Sequence, residues 1–294
     1  MKKFLSFLVV ALFVVTAVTG CFGKKGDVTI GVSISTLNNP FFVELRDGIN
    51  SEADEYGYDV TVLDAQDDTA TQLDQIDDLI AQKVDIIIVN PVDSDAITSA
   101  VEAANDAGIP VITVDRSANG GVVATHIASD NVAGGKMAGE YLLELVGQNA
   151  KVVELQGVPG ASATVDRGEG FHSAVDGKLN VVSSVTANFN RSEGLSVMED
   201  LLEANPGLIG VFAHNDEMAL GAIQALKAAG RTNVVVVGFD ATDDAKNAVK
   251  EGTMAATVAQ QPKLMGTLSI DYAKKILNGD KVDKSVPVDL TLVK

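Results

Sequence analysis

The chain is 294 residues long, 46% hydrophobic and carries a formal charge of −18, a length that accommodates two ordinary domains more readily than one. Such acidity argues against a nucleic-acid partner, which needs a clustered basic face, and otherwise reports solubility rather than ligand. A single cysteine excludes an internal disulfide and leaves no thiol cluster for zinc.

At the N-terminus, Lys2-Lys3 and the apolar run Phe4 to Val18 match the charged and hydrophobic regions of a signal peptide, and the run is short for a membrane span. It ends in Val18-Thr19-Gly20-Cys21, which resembles a bacterial lipobox. Residues 1–20 therefore read as a lipoprotein leader, Cys21 as the lipidated residue that holds the chain to a membrane, and 21–26 as a tether rich in Gly and Lys.

Beyond the tether, β-branched runs alternate with segments of helical period, the pattern of an α/β fold with mostly parallel sheets. Strands are expected at Val28–Ser33, Asp59–Leu63, Asp85–Val89, Val111–Val114 and Thr125–Ala128, with helices at 42–56, 69–83 and 94–107. A second set follows: strands at Lys151–Leu155, Val181–Thr186, Ile209–Phe212, Val234–Val237 and Ala255–Val258, and helices near 131–147, 162–176, 191–204, 216–229, 242–251 and 262–278. Val286 to Val293 alternates weakly and would add an edge strand. The two sets repeat one another. Asn90 and Asp115 end successive strands 25 residues apart, as do Asn215 and Asp240, which suggests two copies of one unit facing each other across a cleft.

The first strand runs into Ser35-Thr-Leu-Asn-Asn-Pro-Phe-Phe42, where Asn39 before Pro40 reads as a helix N-cap. Asn39, Phe41 and Phe42 thus lie just beyond a strand's carboxyl end, where open α/β sheets bind ligands; they also read as a cap and two core rings. Asp115, Arg116, Phe189, Asn215, Asp240 and Gln260 fall near other strand ends, and Arg167 is the exception. The mixture suits a neutral polyhydroxyl ligand: carboxylates accept from hydroxyls, guanidinium and amide groups donate, and ring faces cover C–H surface. Arg116 and Arg167 would neutralise Asp115 and Asp240, which are costly to bury unpaired. Each residue alone also has an ordinary structural use, as a cap or an ion pair.

Enzymatic motifs are wanting. His126, His172 and His214 stand isolated in sequence, and no metal-ligand spacing, P-loop, dinucleotide fingerprint or nucleophile elbow follows a strand. No metal, cofactor or catalytic residue is expected, and the acidic stretches at Asp64 to Asp68 and Asp74 to Asp78 read as loop and solvated helix face.

The segments Ser35 to Phe42, Ile88-Val-Asn-Pro-Val-Asp-Ser-Asp95, Ile109-Pro-Val-Ile-Thr-Val-Asp-Arg116, His126-Ile-Ala-Ser-Asp-Asn131, Asp166-Arg-Gly-Glu-Gly-Phe171, Phe212-Ala-His-Asn-Asp-Glu-Met-Ala-Leu220 and Val237-Gly-Phe-Asp240 resemble the D-ribose-binding group of type I periplasmic sugar-binding proteins. The resemblance covers about Asp27 to Lys294. It implies two Rossmann-like lobes joined by a three-segment hinge, closing on ribose and delivering it to an ABC permease. Hydrogen bonds to the sugar are implied for Asn39, Asp115, Arg116, Arg167, Asn215, Asp240 and Gln260, and ring contacts for Phe41, Phe42 and Phe189. It places crossovers near Ser129-Asp130, Gln260-Gln261 and Asp289-Leu290, giving lobes of 27–129 plus 261–289 and of 130–260 plus 290–294, in a monomer. Asn190, Ala241 and His214 depart from the group's usual Asp, Gly and Gln, which bears on ribose against allose or another pentose. The lack of tryptophan fits a small pocket with phenylalanine stacking. A LacI-like sugar-sensing regulator shares the two-lobe core, and the leader together with the missing DNA-binding helices opposes it.

Overall fold

The structure is a computed structural model that describes residues 28–294; the expected leader, Cys21 and tether lie outside the described residues. In chain order come β1 (Thr29–Ile34), α1 (Pro40–Tyr56), β2 (Asp59–Asp64), α2 (Thr69–Gln82), β3 (Ile86–Val89), α3 (Thr98–Asp106), β4 (Val111–Val114) and β5 (Val123–Ser129). Then follow α4 (Asn131–Val146), β6 (Lys151–Gln156), α5 (Ser162–Val175), β7 (Asn180–Thr186), α6 (Arg191–Ala204), β8 (Gly210–Ala213), α7 (Asp216–Ala228), β9 (Val235–Asp240), α8 (Asp243–Lys250) and β10 (Ala256–Ala259). The chain ends in α9 (Pro262–Leu277), β11 (Ser285–Val288) and β12 (Thr291–Val293).

The strands form two six-stranded sheets, ordered β11-β5-β4-β3-β1-β2 and β12-β10-β9-β8-β6-β7. Strand for strand, the second order repeats the first, so the equal Asn-to-Asp spacing reflects two copies of one α/β unit. Central strands such as Ile86–Val89 and Gly210–Ala213 are buried along their whole length. Their unbroken apolar runs are what a parallel sheet covered on both faces requires. The chain passes from one sheet to the other after β5, after β10 and after β11.

Two expectations need correction. The weak alternation at the C-terminus is not one edge strand but two. β11 pairs in parallel with β5, and β12 pairs antiparallel with β10 on the other sheet. The break falls at Asp289-Leu290, between the two pairings. The helix expected from residue 94 starts at Thr98, because the Asp93 carboxylate accepts the N–H groups of Asp95 and Ala96, both at 2.8 Å, and holds residues 94–97 in a turn.

Five helix starts that follow the strand ends are built by side-chain caps. Asn39 accepts from Phe41 N–H at 3.0 Å ahead of Pro40, Asp130 caps α4, Asn190 caps α6, Asn215 caps α7 and Thr242 caps α8. Glycine permits the close crossing that seats α5 on α4: a Cβ on Gly135 would strike the Arg167 carbonyl, and one on Gly170 that of Val132. Arg167 is thereby fixed at the backbone before its side chain makes any contact.

Candidate functional site

Both sheets turn their carboxyl ends toward one cleft. Asn39, Phe41, Phe42, Asp115, Arg116, Arg167, Phe189, Asn215 and Asp240 line a single pocket there, joined by Ala163. Gln260 stands one step back, donating from Nε2 to Asp240 Oδ1 at 2.9 Å. It shares an adjoining cavity with Asp240 on the side of the crossovers.

From the first sheet, Asn39 serves both expected uses. Its Oδ1 caps α1 while its side chain borders the pocket. Phe41 and Phe42 lie edge to face, 5.1 Å between centroids at 89°, and both are buried. Asp115 ends β4 in a tight turn with φ of 62°, the Arg116 N–H bonding back to the Val114 carbonyl at 2.6 Å. A non-glycine residue held at positive φ carries strain of order 1–3 kcal/mol, a feature that collects at functional sites. The Asn90 amide steadies this turn, donating to the Val114 carbonyl at 3.0 Å and to Asp115 Oδ2 at 3.3 Å. Arg116 is 2% exposed, donates to the Pro91 carbonyl at 3.1 Å, and lies between the Phe42 and Phe189 rings, 5.2 Å from each centroid. Burial works against its charge, and Asp115 and Asp67 work for it.

From the second sheet, Arg167 reaches out of α5. Its Nε donates to Asn131 Oδ1 at 2.8 Å, its Nη1 donates to the His214 carbonyl at 2.6 Å, and the same Nη1 lies 3.7 Å from Asp240 Oδ1. The guanidinium covers the Phe239 ring at 3.9 Å. Asp240 also sits at positive φ, 111°, at the end of β9. Burial pushes its carboxyl up to about 7, against the opposing pull of Arg167. Asn215 caps α7 through Oδ1 and donates to the Phe189 carbonyl at 3.1 Å, which holds Phe189 at a φ of 57° with its ring over the pocket. Asp115 Oδ1, Arg116 Nε and Gln260 Oε1 are buried without a protein partner. In the pocket, the Arg116 donor, the Asp115 acceptor and the aromatic walls are the complement of a hydroxylated ring.

Behind Arg167 lies a cluster that sequence reading missed. His172 and His214 are not isolated: both reach the fully buried Glu154, at 3.3 Å and 2.8 Å, and His172 also meets Asp176 at 2.8 Å. Burial would raise the Glu154 carboxyl, but the hydrogen bond and charge of His214, aided by Ser184 and His172, bring it down to about 2. Burial lowers His214 against the opposing hydrogen bond and charge of Glu154, to which its Nε2 donates. A glutamate inside the apolar run Lys151–Gln156 was the available signal. Ala163 carries no polar chemistry and gave none. Among the described residues, no group of three or more His, Cys, Asp or Glu could hold a metal ion, and no helix is long and apolar enough to cross a membrane.

A family model for the periplasmic binding protein domain matches residues 30–281. The ribose import binding protein of Bacillus subtilis is 52% identical over 270 residues, covering 92% of this chain and 88% of the relative. That of Escherichia coli is 53% identical over 266 residues, 90% of each chain. Among solved structures, an ABC transporter solute-binding protein from Bacillus halodurans with bound myo-inositol superposes with a TM-score of 0.87 at 37% identity, over 92% of this chain and 96% of that one.

Proposed function

This chain belongs to the periplasmic binding protein family, and we propose that it is the extracytoplasmic receptor of an ABC-type sugar importer, with D-ribose as its ligand. The observation that carries this reading is the convergence of two Asp–Arg pairs, one from each sheet, on one pocket walled by three phenylalanines. The identity to ribose import binding proteins over nine-tenths of the chain supports ribose as the sugar.

Asp115 and Asp240 accept from ring hydroxyls, Arg116, Arg167, Asn39, Asn215 and Gln260 donate or bridge, and Phe41, Phe42 and Phe189 cover the faces of the ring. Contacts from both sides are complete only when the lobes, 27–129 plus 261–289 and 130–260 plus 290–294, close on the sugar. Binding therefore shifts the open–closed population. The permease recognises the lobe surfaces that closure sets side by side, and the lipid on Cys21 keeps the monomeric receptor beside it. Nothing in this scheme turns the sugar over.

A thermal-shift panel of pentoses and hexoses tests the reading, since a ligand that binds only the folded chain raises its melting temperature. D-ribose gives the largest shift, and a larger shift with allose or another pentose would reassign the ligand. Product analysis after incubation with ribose returns ribose unchanged; any turnover removes the receptor reading.

A further inference from the structure

The helix that carries Arg167 has no cap of its own. At α5 the N-cap position is Ala161, with no side-chain hydrogen bond, whereas α4, α6, α7 and α8 each have a side-chain cap from their own N-cap residue. The first backbone N–H of α5, that of Ser162, instead donates to Ser94 Oγ at 3.1 Å. Ser94 belongs to the turn after β3, on the opposite sheet, and is 1% exposed. Two more bonds cross at the same corner: Ser94 N–H to the Gly160 carbonyl at 3.0 Å and Ser117 N–H to Ser162 Oγ at 2.9 Å. The fit is close, for a Cβ on Gly160, which sits at a φ of 86°, would collide with the Asp93 carboxylate.

We propose that Ser94 is a positioning residue for the ligand, capping α5 from the other lobe, so that the helix bearing Ala163 and Arg167 gains its N-terminal hydrogen bond only when the cleft is shut. The proposal rests on the reading that the lobes close around a sugar. Ser94 and Ser162 lie outside the pocket lining. Their contribution enters through the closed state alone: an orphan helix N–H is satisfied on closure and returns to water on opening. Closure thereby ties the first turn of α5 to the first lobe, and the sugar departs more slowly for it.

The test compares the full-length wild type with Ser94→Ala and Ser162→Ala, by calorimetric titration of D-ribose, stopped-flow dissociation and melting temperature with and without the sugar. For Ser94→Ala the expectation is about fivefold to tenfold weaker binding, carried by faster dissociation, with the ligand-free melting temperature unchanged. Ser162→Ala, which removes the acceptor of Ser117 N–H, shifts the same quantities in the same direction by less. Wild-type binding matched by both variants overturns the cap and leaves the sugar reading standing. So does a ligand-free melting temperature that falls as far as the ribose-bound one, which marks a purely structural role. Absence of ribose binding by the wild type overturns the reading beneath, and the proposal with it.

Discussion

Asp115 and Asp240 are the same position in the two copies of the α/β unit, and they are held in different ways. Both end the fourth strand of their unit at positive φ. Asp115 takes its arginine from the next residue, Arg116, at 3.9 Å, and is steadied by Asn90 from the neighbouring strand end. Asp240 takes Arg167 from a helix far back in the chain, at 3.7 Å, and Gln260 from beside a crossover. The matching asparagines diverge as well: Asn90 braces the aspartate turn, while Asn215 caps α7 and fixes Phe189. A repeated backbone unit thus supplies two equivalent carboxylate positions, and the side chains around them decide which is braced locally and which depends on distant parts of the chain.

The second arrangement should therefore break more completely. Arg167→Ala leaves Asp240 buried without its cation and frees Asn131 and the His214 carbonyl, so ribose binding should weaken by about 3–5 kcal/mol. Calorimetry showing near-wild-type affinity would remove Arg167 from the site. On the first side, Asp115→Ala removes one acceptor and leaves Arg116 with its Pro91 bond and aromatic neighbours. The expected loss is about 2–4 kcal/mol in the same titration, and a loss exceeding that of Arg167→Ala would reverse the comparison.

Acidity sharpens the contrast. Because burial raises the Asp240 carboxyl to about 7, its proton-bound form contributes stability to the closed form that is full below the ordinary value of 3.8 and lost as pH rises through about 7. A sugar hydroxyl donating to Asp240 favours the carboxylate. Affinity should therefore rise between pH 6 and pH 8, with a proton released on binding. Titrations in buffers of differing ionisation heat measure that proton, and Asp240→Asn should abolish its release. The smallest effect concerns His172, whose burial lowers its pKa but whose bonds to Asp176 and Glu154 raise it overall. The stability it contributes is present below the ordinary value of 6.5 and lost as pH rises through the higher folded value. With the side chain 36% exposed, solvent screening limits this to a few tenths of a kcal/mol. His172→Gln should flatten melting temperature against pH above 6.5 by that small amount and leave the Asp240 transition in place.

Much of the fold was legible because apolar strands such as Ile86–Val89 and Val111–Val114 leave no alternative to a covered parallel sheet. The pocket was legible where a polar residue interrupts such a run at its end, as at Asp115, Asn215 and Asp240. The C-terminal stretch was not, since two short strands on different sheets share one weak alternation and only tertiary pairing separates them. Nor was the link between His172, His214 and Glu154, because the residues lie on three elements and meet only once α5 and β8 flank β6. The contribution of Ser94 to α5 was hidden for the same reason: a serine in an Asp-Ser-Asp turn reads as turn chemistry, and its second use exists only across the cleft.

Small-angle X-ray scattering of the purified chain with and without saturating D-ribose tests the central claim most directly, namely that facing strand ends of two lobes trap one small neutral sugar. The account predicts a contraction of the particle on adding ribose, saturating at one sugar per chain. Superimposable scattering curves from ribose-free and ribose-saturated protein would contradict it.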